Sequence, residues 1–394
     1  MGIYKAYLHE DQQETYASCL AALANEGPWD LLVVDRIWSR DLLRRAWEAA
    51  GRPQVVVNQW ESPASWPEVN WRISPMSRHA TLGLASVVAG HSSEPTVSNL
   101  FRRASDGRWS APPSIQDFDA LREFGPPLDL AYDAAQVYGL TPSEAGDTRY
   151  LVLNMGCPYR GAANESGFLD GLDLPTTWGA SGCTFCNVGP YERQTADQRR
   201  LLMRTQLEAL AQRGPYSRLV VQDEYIFRDL DVLVDLIVEL GPPHVDLMVR
   251  ARVDYLESCL PQLERALETL GERGTVIPYL IGFENFSNHE LQRYNKGQTA
   301  DEIEAGIARL DALGATYPNF RVSPSQGFIL FGPWTTLEDL EANAEAFRRV
   351  GFQRFRGRIT RSKLRLNPDA ALVARARADG LLQDLHRRPD EDNA

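Results

Sequence analysis

The stretch Arg149-Tyr150-Leu151-Val152-Leu153-Asn154-Met155-Gly156-Cys157 decides how this chain reads. Its apolar run over 149–154 predicts a strand, and the strand delivers a cysteine three residues past its end. Five more runs of the same kind follow, at 218–222, 245–250, 278–283, 326–331 and 353–359. Helical spacing of apolar residues separates them, at 195–213, 229–240, 256–273, 300–313 and 337–350. Strand then helix, repeated along the chain, predicts parallel strands with right-handed crossovers. Six such strands make a partial (β/α)6 TIM-like barrel or an open doubly wound sheet, within the α/β class.

Working back from Arg149, the Pro/Gly/Ser-rich break Pro142-Ser143-Glu144-Ala145-Gly146-Asp147 is the best domain boundary. Before it, strands at 3–8, 30–34 and 54–58 alternate with helices at 12–25 and 39–50. That order predicts a Rossmann-like α/β domain with its connector over 1–147, ahead of the barrel at 148–385. The Trp/Pro/Ser-rich stretch 59–76 reads as a loop, and 96–109 as a hairpin around Asp106-Gly107. Seven of the nine tryptophans lie between Trp29 and Trp109, where they read as filling an irregular core. The charged tail 386–394 reads as disordered.

Composition narrows the classes. The chain has 394 residues, 43% hydrophobic and 24% charged, which describes a globular protein with an ample core. Its 41 basic and 53 acidic residues leave a net charge of −12 without a basic run, which argues against a nucleic-acid binder. No apolar stretch approaches the ~20 residues of a membrane span. Met1-Gly2-Ile3-Tyr4-Lys5 lacks a signal-peptide core, so a cytoplasmic location is expected. Five cysteines spread over a long chain are no disulfide framework and read better as metal ligands or nucleophiles. There is no P-loop, G-x-G-x-x-G, H-E-x-x-H or G-x-S-x-G, and the six histidines are scattered.

Cys157, Cys183 and Cys186 are spaced C-x25-C-x2-C in a Gly-rich polar stretch. Three thiolates on one loop suit an iron–sulfur cluster or a zinc ion. A structural zinc wants four ligands, and no histidine or fourth cysteine lies nearby in sequence. Cys19 and Cys259 fall among helical apolar residues and read as small buried hydrophobes. Polar residues recur at the other strand ends, where a barrel gathers function: Asp223-Glu224, Arg250-Ala251-Arg252 and Gly282-Phe283-Glu284. Each has a bland reading alone, such as acidic residues at a helix N-terminus.

Taken together, these segments resemble the radical S-adenosylmethionine superfamily, and within it the branch with an N-terminal cobalamin (B12)-binding-type domain. The resemblance runs from about 149 to 382. It is carried by Asn154-Met155-Gly156-Cys157-Pro158-Tyr159-Arg160, Cys183-Thr184-Phe185-Cys186, Asp223-Glu224 with Phe227, and Arg252-Val253-Asp254. Ile281-Gly282-Phe283-Glu284 followed by Asn295-Lys296-Gly297 is the most specific match outside the cysteines, and Leu366-Asn367-Pro368-Asp369 resembles the closing segment. One departure is large: the usual gap between the first two cluster cysteines is three residues, and here it is 25. Residues 158–182 read as an insertion, which costs little in closure entropy.

The resemblance implies a 4Fe–4S cluster on Cys157, Cys183 and Cys186, with one iron left for S-adenosylmethionine. Reductive cleavage of that cofactor would give a 5′-deoxyadenosyl radical, which abstracts hydrogen from an unactivated substrate carbon. It further implies Phe185 beside the adenine, Asp223 or Glu224 facing the methionyl ammonium, Arg252 at the carboxylate or ribose, and Gly282 and Glu284 at the ribose. An electron donor such as a flavodoxin or ferredoxin and a small-molecule or peptide substrate are the implied partners. If the first domain binds cobalamin, methyl transfer follows; if not, it is a substrate-recognition or partner module, and rearrangement, epimerisation or bond formation are the outcomes. The non-enzymatic alternative is a zinc-stabilised α/β binding protein.

Overall fold

The computed structural model describes residues 13–34, 40–58, 67–73, 84, 86–90, 100–106, 147–154, 156–163, 167–174, 181–186, 188, 191, 193–324, 326–351, 364, 366 and 370–381. The chain divides into two compact units, Met1–Phe118 with Ala376–Ala394, and Asp119–Arg375. Among the described residues no helix is long and apolar enough to cross a membrane.

In the first unit α1 (Gln13–Glu26) and α2 (Arg40–Ala49) alternate with β1 (Leu31–Val34) and β2 (Gln54–Asn58). β1 and β2 are parallel, β2 pairs in parallel with β3 (Trp71–Ile73), and β4 (Leu100–Arg102) lies antiparallel to β3. The Val55-Val56-Val57 run is buried on both faces, as a central parallel strand should be. Val56 packs with Trp71, Ile73, Leu84 and Leu100, and its neighbours with Leu43 and Val69. β3 falls in the stretch read as a loop; three residues are too few to show a period. β4, the described part of the expected hairpin, pairs antiparallel with β3, and the return arm from Gly107 lies outside the described residues. The indoles of Trp29, Trp47 and Trp71 donate to Leu23 O at 2.9 Å, Pro53 O at 2.8 Å and Gln54 Oε1. The strand expected at 3–8 lies outside the described residues.

In the second unit β5 (Thr148–Val152), β6 (Arg218–Gln222), β7 (Val245–Val249) and β8 (Gly274–Pro278) form one all-parallel sheet in sequence order. The helices α3 (Ala196–Gln212), α4 (Leu230–Leu240) and α5 (Leu260–Leu270) make the crossovers. Leu151, Leu219, Val221, Leu247, Val249 and Val276 are fully buried. Between them Tyr150 is 52% exposed and Gln222 and Met248 are half-buried, so the two faces differ. The edge of β5 is not bare: buried Gln206 of α3 accepts the Val152 N–H at 3.0 Å and donates to Val152 O at 2.7 Å.

The fourth expected strand, 278–283, is instead two short ones, β8 and β9 (Gly282–Glu284). Leu280 breaks the run at a φ of 51°, in the left-handed region that extended backbone excludes. β10 (Gly327–Phe328) pairs in parallel with β9. The chain leading into β10 lies along β8, with Val276 N–H to Asn319 O at 2.9 Å and Ser323 N–H to Pro278 O at 2.9 Å. α6 (Asn288–Arg293), α7 (Ala300–Thr316), α8 (Leu337–Val350) and α9 (Ala371–Ala378) complete the described elements. Capping boxes at Thr195, Thr299 and Thr336 start α3, α7 and α8. The expected strand 353–359 and the tail 386–394 lie outside the described residues.

Candidate active site

The site grows from the carboxyl end of β5. Asn154 Oδ1 accepts the Gly156 N–H at 2.9 Å and turns the chain toward Cys157. The Cys157 carbonyl accepts the Tyr191 N–H at 3.1 Å. The second and third cysteines share a tight turn, closed by Cys186 N–H to Cys183 O at 3.0 Å. Thr184 between them is fully buried. Its N–H and Oγ1 donate to Tyr294 O at 2.9 Å and Arg293 O at 2.7 Å, and its carbonyl accepts the Leu372 N–H at 2.9 Å. Phe185 stands edge-on to Tyr294, ring centroids 5.5 Å apart. Val188 N–H points at Cys186 Sγ from 3.4 Å.

Two guanidiniums back the thiols. Arg252 donates from Nη1 to Cys183 Sγ at 3.5 Å, stacks 4.2 Å over the Tyr159 ring, and spends its other donors on Asp254 and on Lys296 O at 2.6 Å. Arg160 has its own acidity shifted by burial and by the nearby Cys157, Cys186 and Cys183. Burial pushes the Cys157 thiol up, partly offset by the Tyr159 backbone and Arg252. Burial and then Cys183 push the Cys186 thiol up to about 12. The three sulfurs thus feel one another in a poorly hydrated place with cations behind them. All three are free, and Cys259 is buried elsewhere, 3.7 Å from Ser258 Oγ. Among the described residues no three His, Cys, Asp or Glu side chains close in on a single ion.

The strand-end residues separate into two groups. Asp223, 0% exposed, is consumed inside the protein: Arg199 Nη1 lies 3.0 Å from it, and Tyr191 OH and the Tyr225 N–H donate to it at 3.0 Å and 2.7 Å. Glu224 faces the other way. It lies 3.6 Å from Arg250 Nη1, and its charge reaches both Cys157 and Cys186. Burial pushes the Glu224 carboxyl up, and Arg250 and Lys296 draw it back. Glu284, at a φ of 64°, pairs with buried Lys296 Nζ at 3.1 Å. A Cβ on Gly282 would stand 2.5 Å from Glu284 Oε1 and 2.8 Å from Lys296 Nζ, so a larger residue there would push the ends of those two side chains aside.

Of the residues singled out from sequence, the structure gathers Cys157, Cys183, Cys186, Arg252 and Glu224 into one neighbourhood, sets Glu284 with Gly282 beside Lys296, and leaves Phe185 on the cysteine turn. Asp223 faces inward. Sequence reasoning missed Tyr191 and Arg199, which tie the Cys157 loop to β6 through Asp223. Arg199, 2% exposed, gives no signal, because it sits in a helix that reads as an ordinary crossover.

Fold and site together define an α/β protein with a thiol cluster at the end of a parallel sheet. No protein-family model matches the chain, and neither does any curated protein. Solved structures do. The fold is similar to cobalamin-dependent S-adenosylmethionine radical enzyme OxsB, solved with aqua-cobalamin and S-adenosylmethionine bound, at TM-score 0.61 and 13% identity, over 93% of this chain and 55% of that one. It is also similar to the radical S-adenosylmethionine methyltransferase TsrM from Kitasatospora setae, solved with cobalamin and a 4Fe–4S cluster, at TM-score 0.55 and 15% identity, over 91% of this chain and 66% of that one. A second TsrM structure, with tryptophan substrate and aza-SAM, matches at TM-score 0.52 and 14% identity, over 85% of this chain and 63% of that one. The chain thus spans about half the length of OxsB and less than two thirds of TsrM. At these identities the likeness is one of fold.

Proposed function

We propose that the chain is a radical S-adenosylmethionine enzyme with a 4Fe–4S cluster on Cys157, Cys183 and Cys186. The supporting observation is that the three free thiols lie near enough to act on one another's charge, with Arg252 donating to Cys183 Sγ at 3.5 Å. When bound and reduced by an external donor, such a cluster would supply the one electron that splits S-adenosylmethionine into methionine and a 5′-deoxyadenosyl radical competent for hydrogen abstraction. The protein's own part is placement and charge. Arg252 and Arg160 offset the negative thiolates. Glu224 accepts the methionyl ammonium, Phe185 flanks the adenine, and Glu284, aimed by Lys296, accepts a ribose hydroxyl. Asp223 holds the Cys157 loop through Tyr191 instead of meeting the cofactor.

In this reading residues 148–385 form the partial (β/α)6 barrel, and 1–147 a Rossmann-like cobalamin-binding-type domain that makes the enzyme a methyltransferase. What supports the second part is that the fold likeness to two cobalamin proteins extends over 93% and 91% of this chain. The substrate is a small molecule or peptide, and a flavodoxin or ferredoxin in a reducing cytoplasm supplies electrons. Anaerobic reconstitution with iron, sulfide, S-adenosylmethionine and a reductant, with and without cobalamin, tests both parts. A brown protein that yields 5′-deoxyadenosine is expected, with a methylated product only when cobalamin is present. A colourless protein carrying stoichiometric zinc would sink the proposal.

A further inference from the structure

The 25 residues between Cys157 and Cys183 are drawn together at a neck. Gly182 N–H donates to Gly161 O at 2.7 Å, and Ala162 and Ser181 form an antiparallel bridge beside it. Arg160 reaches over the same neck to Ser181 Oγ. Asn295 seals the neck from a distant part of the chain: its Nδ2 donates to Gly161 O at 3.1 Å and to Gly182 O at 2.8 Å. Both hydrogens of one amide thus go to the two sides of the neck. Asn295 is buried at a φ of 46°, a left-handed conformation held at some cost by a non-glycine residue.

Beyond the neck the segment has its own seat. Leu169 is buried with Tyr294, Ile329 and Leu372, and Leu172 packs against them. Phe168 stands edge-on to Trp334 at 5.4 Å, with the guanidinium carbons of Arg293 and Arg375 at 5.8 Å and 5.0 Å from its ring centroid. With residues 161–182 removed, only Pro158, Tyr159 and Arg160 separate Cys157 from Cys183.

We infer that the insert is closed at its neck, where Gly161 and Gly182 meet, and that Asn295 is a positioning residue for the thiols. By clasping the neck it holds Cys157 and Cys183 as a three-residue link would. A slack 25-residue link would dilute one thiol about the other roughly twentyfold relative to that short link, by the three-halves power of length. The inference rests on the cluster reading above.

The test uses two variants of the full chain. Asn295→Asp keeps the size but turns the donor into an acceptor facing two carbonyls. Deletion of 162–181 joins Gly161 to Gly182 as a Gly-Gly turn, so that a peptide bond does the clasp's work. Iron affinity after anaerobic reconstitution, and amide exchange at Gly182 in the metal-free protein, are the readouts. Asn295→Asp should weaken iron binding and speed Gly182 exchange about tenfold, the effect of two ordinary hydrogen bonds. The deletion variant should keep iron within about twofold, and adding Asn295→Asp to it should cost less than about twofold. Wild-type iron binding and exchange in Asn295→Asp would overturn the clasp, as would a folded deletion variant that takes no iron. If the deletion fails to fold, the point variant decides alone. A wild-type chain that binds no iron overturns the cluster reading instead, and Gly182 exchange still reports whether the neck is clasped.

Discussion

Arg252 donates from Nη1 to Cys183 Sγ at 3.5 Å, and the same guanidinium holds Asp254 Oδ2 at 2.9 Å. One buried cation therefore ties the third-strand end to the cysteine turn. Arg252→Ala leaves Asp254 and the Lys296 carbonyl without their donor and should lower unfolding free energy by about 3 kcal/mol. Arg252→Lys restores the charge but not the planar fork, so it should recover stability only in part. Chemical denaturation and iron content after reconstitution check both.

In the proposed reading the three cysteines serve one cluster, and Cys259 lies outside it, buried near Ser258. Alanine at Cys157, Cys183 or Cys186 should abolish reductive cleavage of S-adenosylmethionine and most iron binding. Cys259→Ala should keep both and cost about 1 kcal/mol of stability. Iron retention in a Cys157→Ala variant would contradict the assignment.

Gly282→Ala places a methyl against the Glu284–Lys296 pair. Those are the ends of long side chains, so the stability cost should be modest, about 1 kcal/mol. The pair itself should part. The expected signature is a raised KM for S-adenosylmethionine with unchanged iron content.

Asp339 contributes to stability against acid. Burial raises its carboxyl, but the Ser287 hydroxyl, Thr336 and Arg293 outweigh that and hold it at about 2, below the ordinary 3.8. A depressed carboxyl stabilises the fold in full above its ordinary pKa and loses that contribution as pH falls toward the folded-state value. Asp339→Asn should therefore cost about 2 kcal/mol at neutral pH. The difference from wild type should shrink below about pH 4 and vanish near pH 2, as read from denaturation at each pH.

Much of the architecture was legible. The strand over 218–222 and the helix over 337–350 were read with the bounds the structure has, because alternation and helical spacing are local signals. β3 was not, since three residues carry no period, and the break at Leu280 was not, since a leucine gives no warning of a left-handed backbone. At the site, Asp223 and Glu224 are adjacent in sequence and indistinguishable there. Only the placement of Arg199 and Tyr191 turns one carboxylate inward and leaves the other toward the thiols.

The sequence by itself determined the chemistry on offer: three cysteines after a strand, acidic and basic residues at later strand ends, and a gap of 25 residues inside the motif. Tertiary structure decided what that gap means. Gly161 and Gly182 meet through a backbone hydrogen bond, and the amide that clasps them belongs to Asn295, 134 and 113 positions away. Hydrogen bonds between residues so distant leave no mark in local spacing, because their partners are set by how the strands and the α6 turn pack.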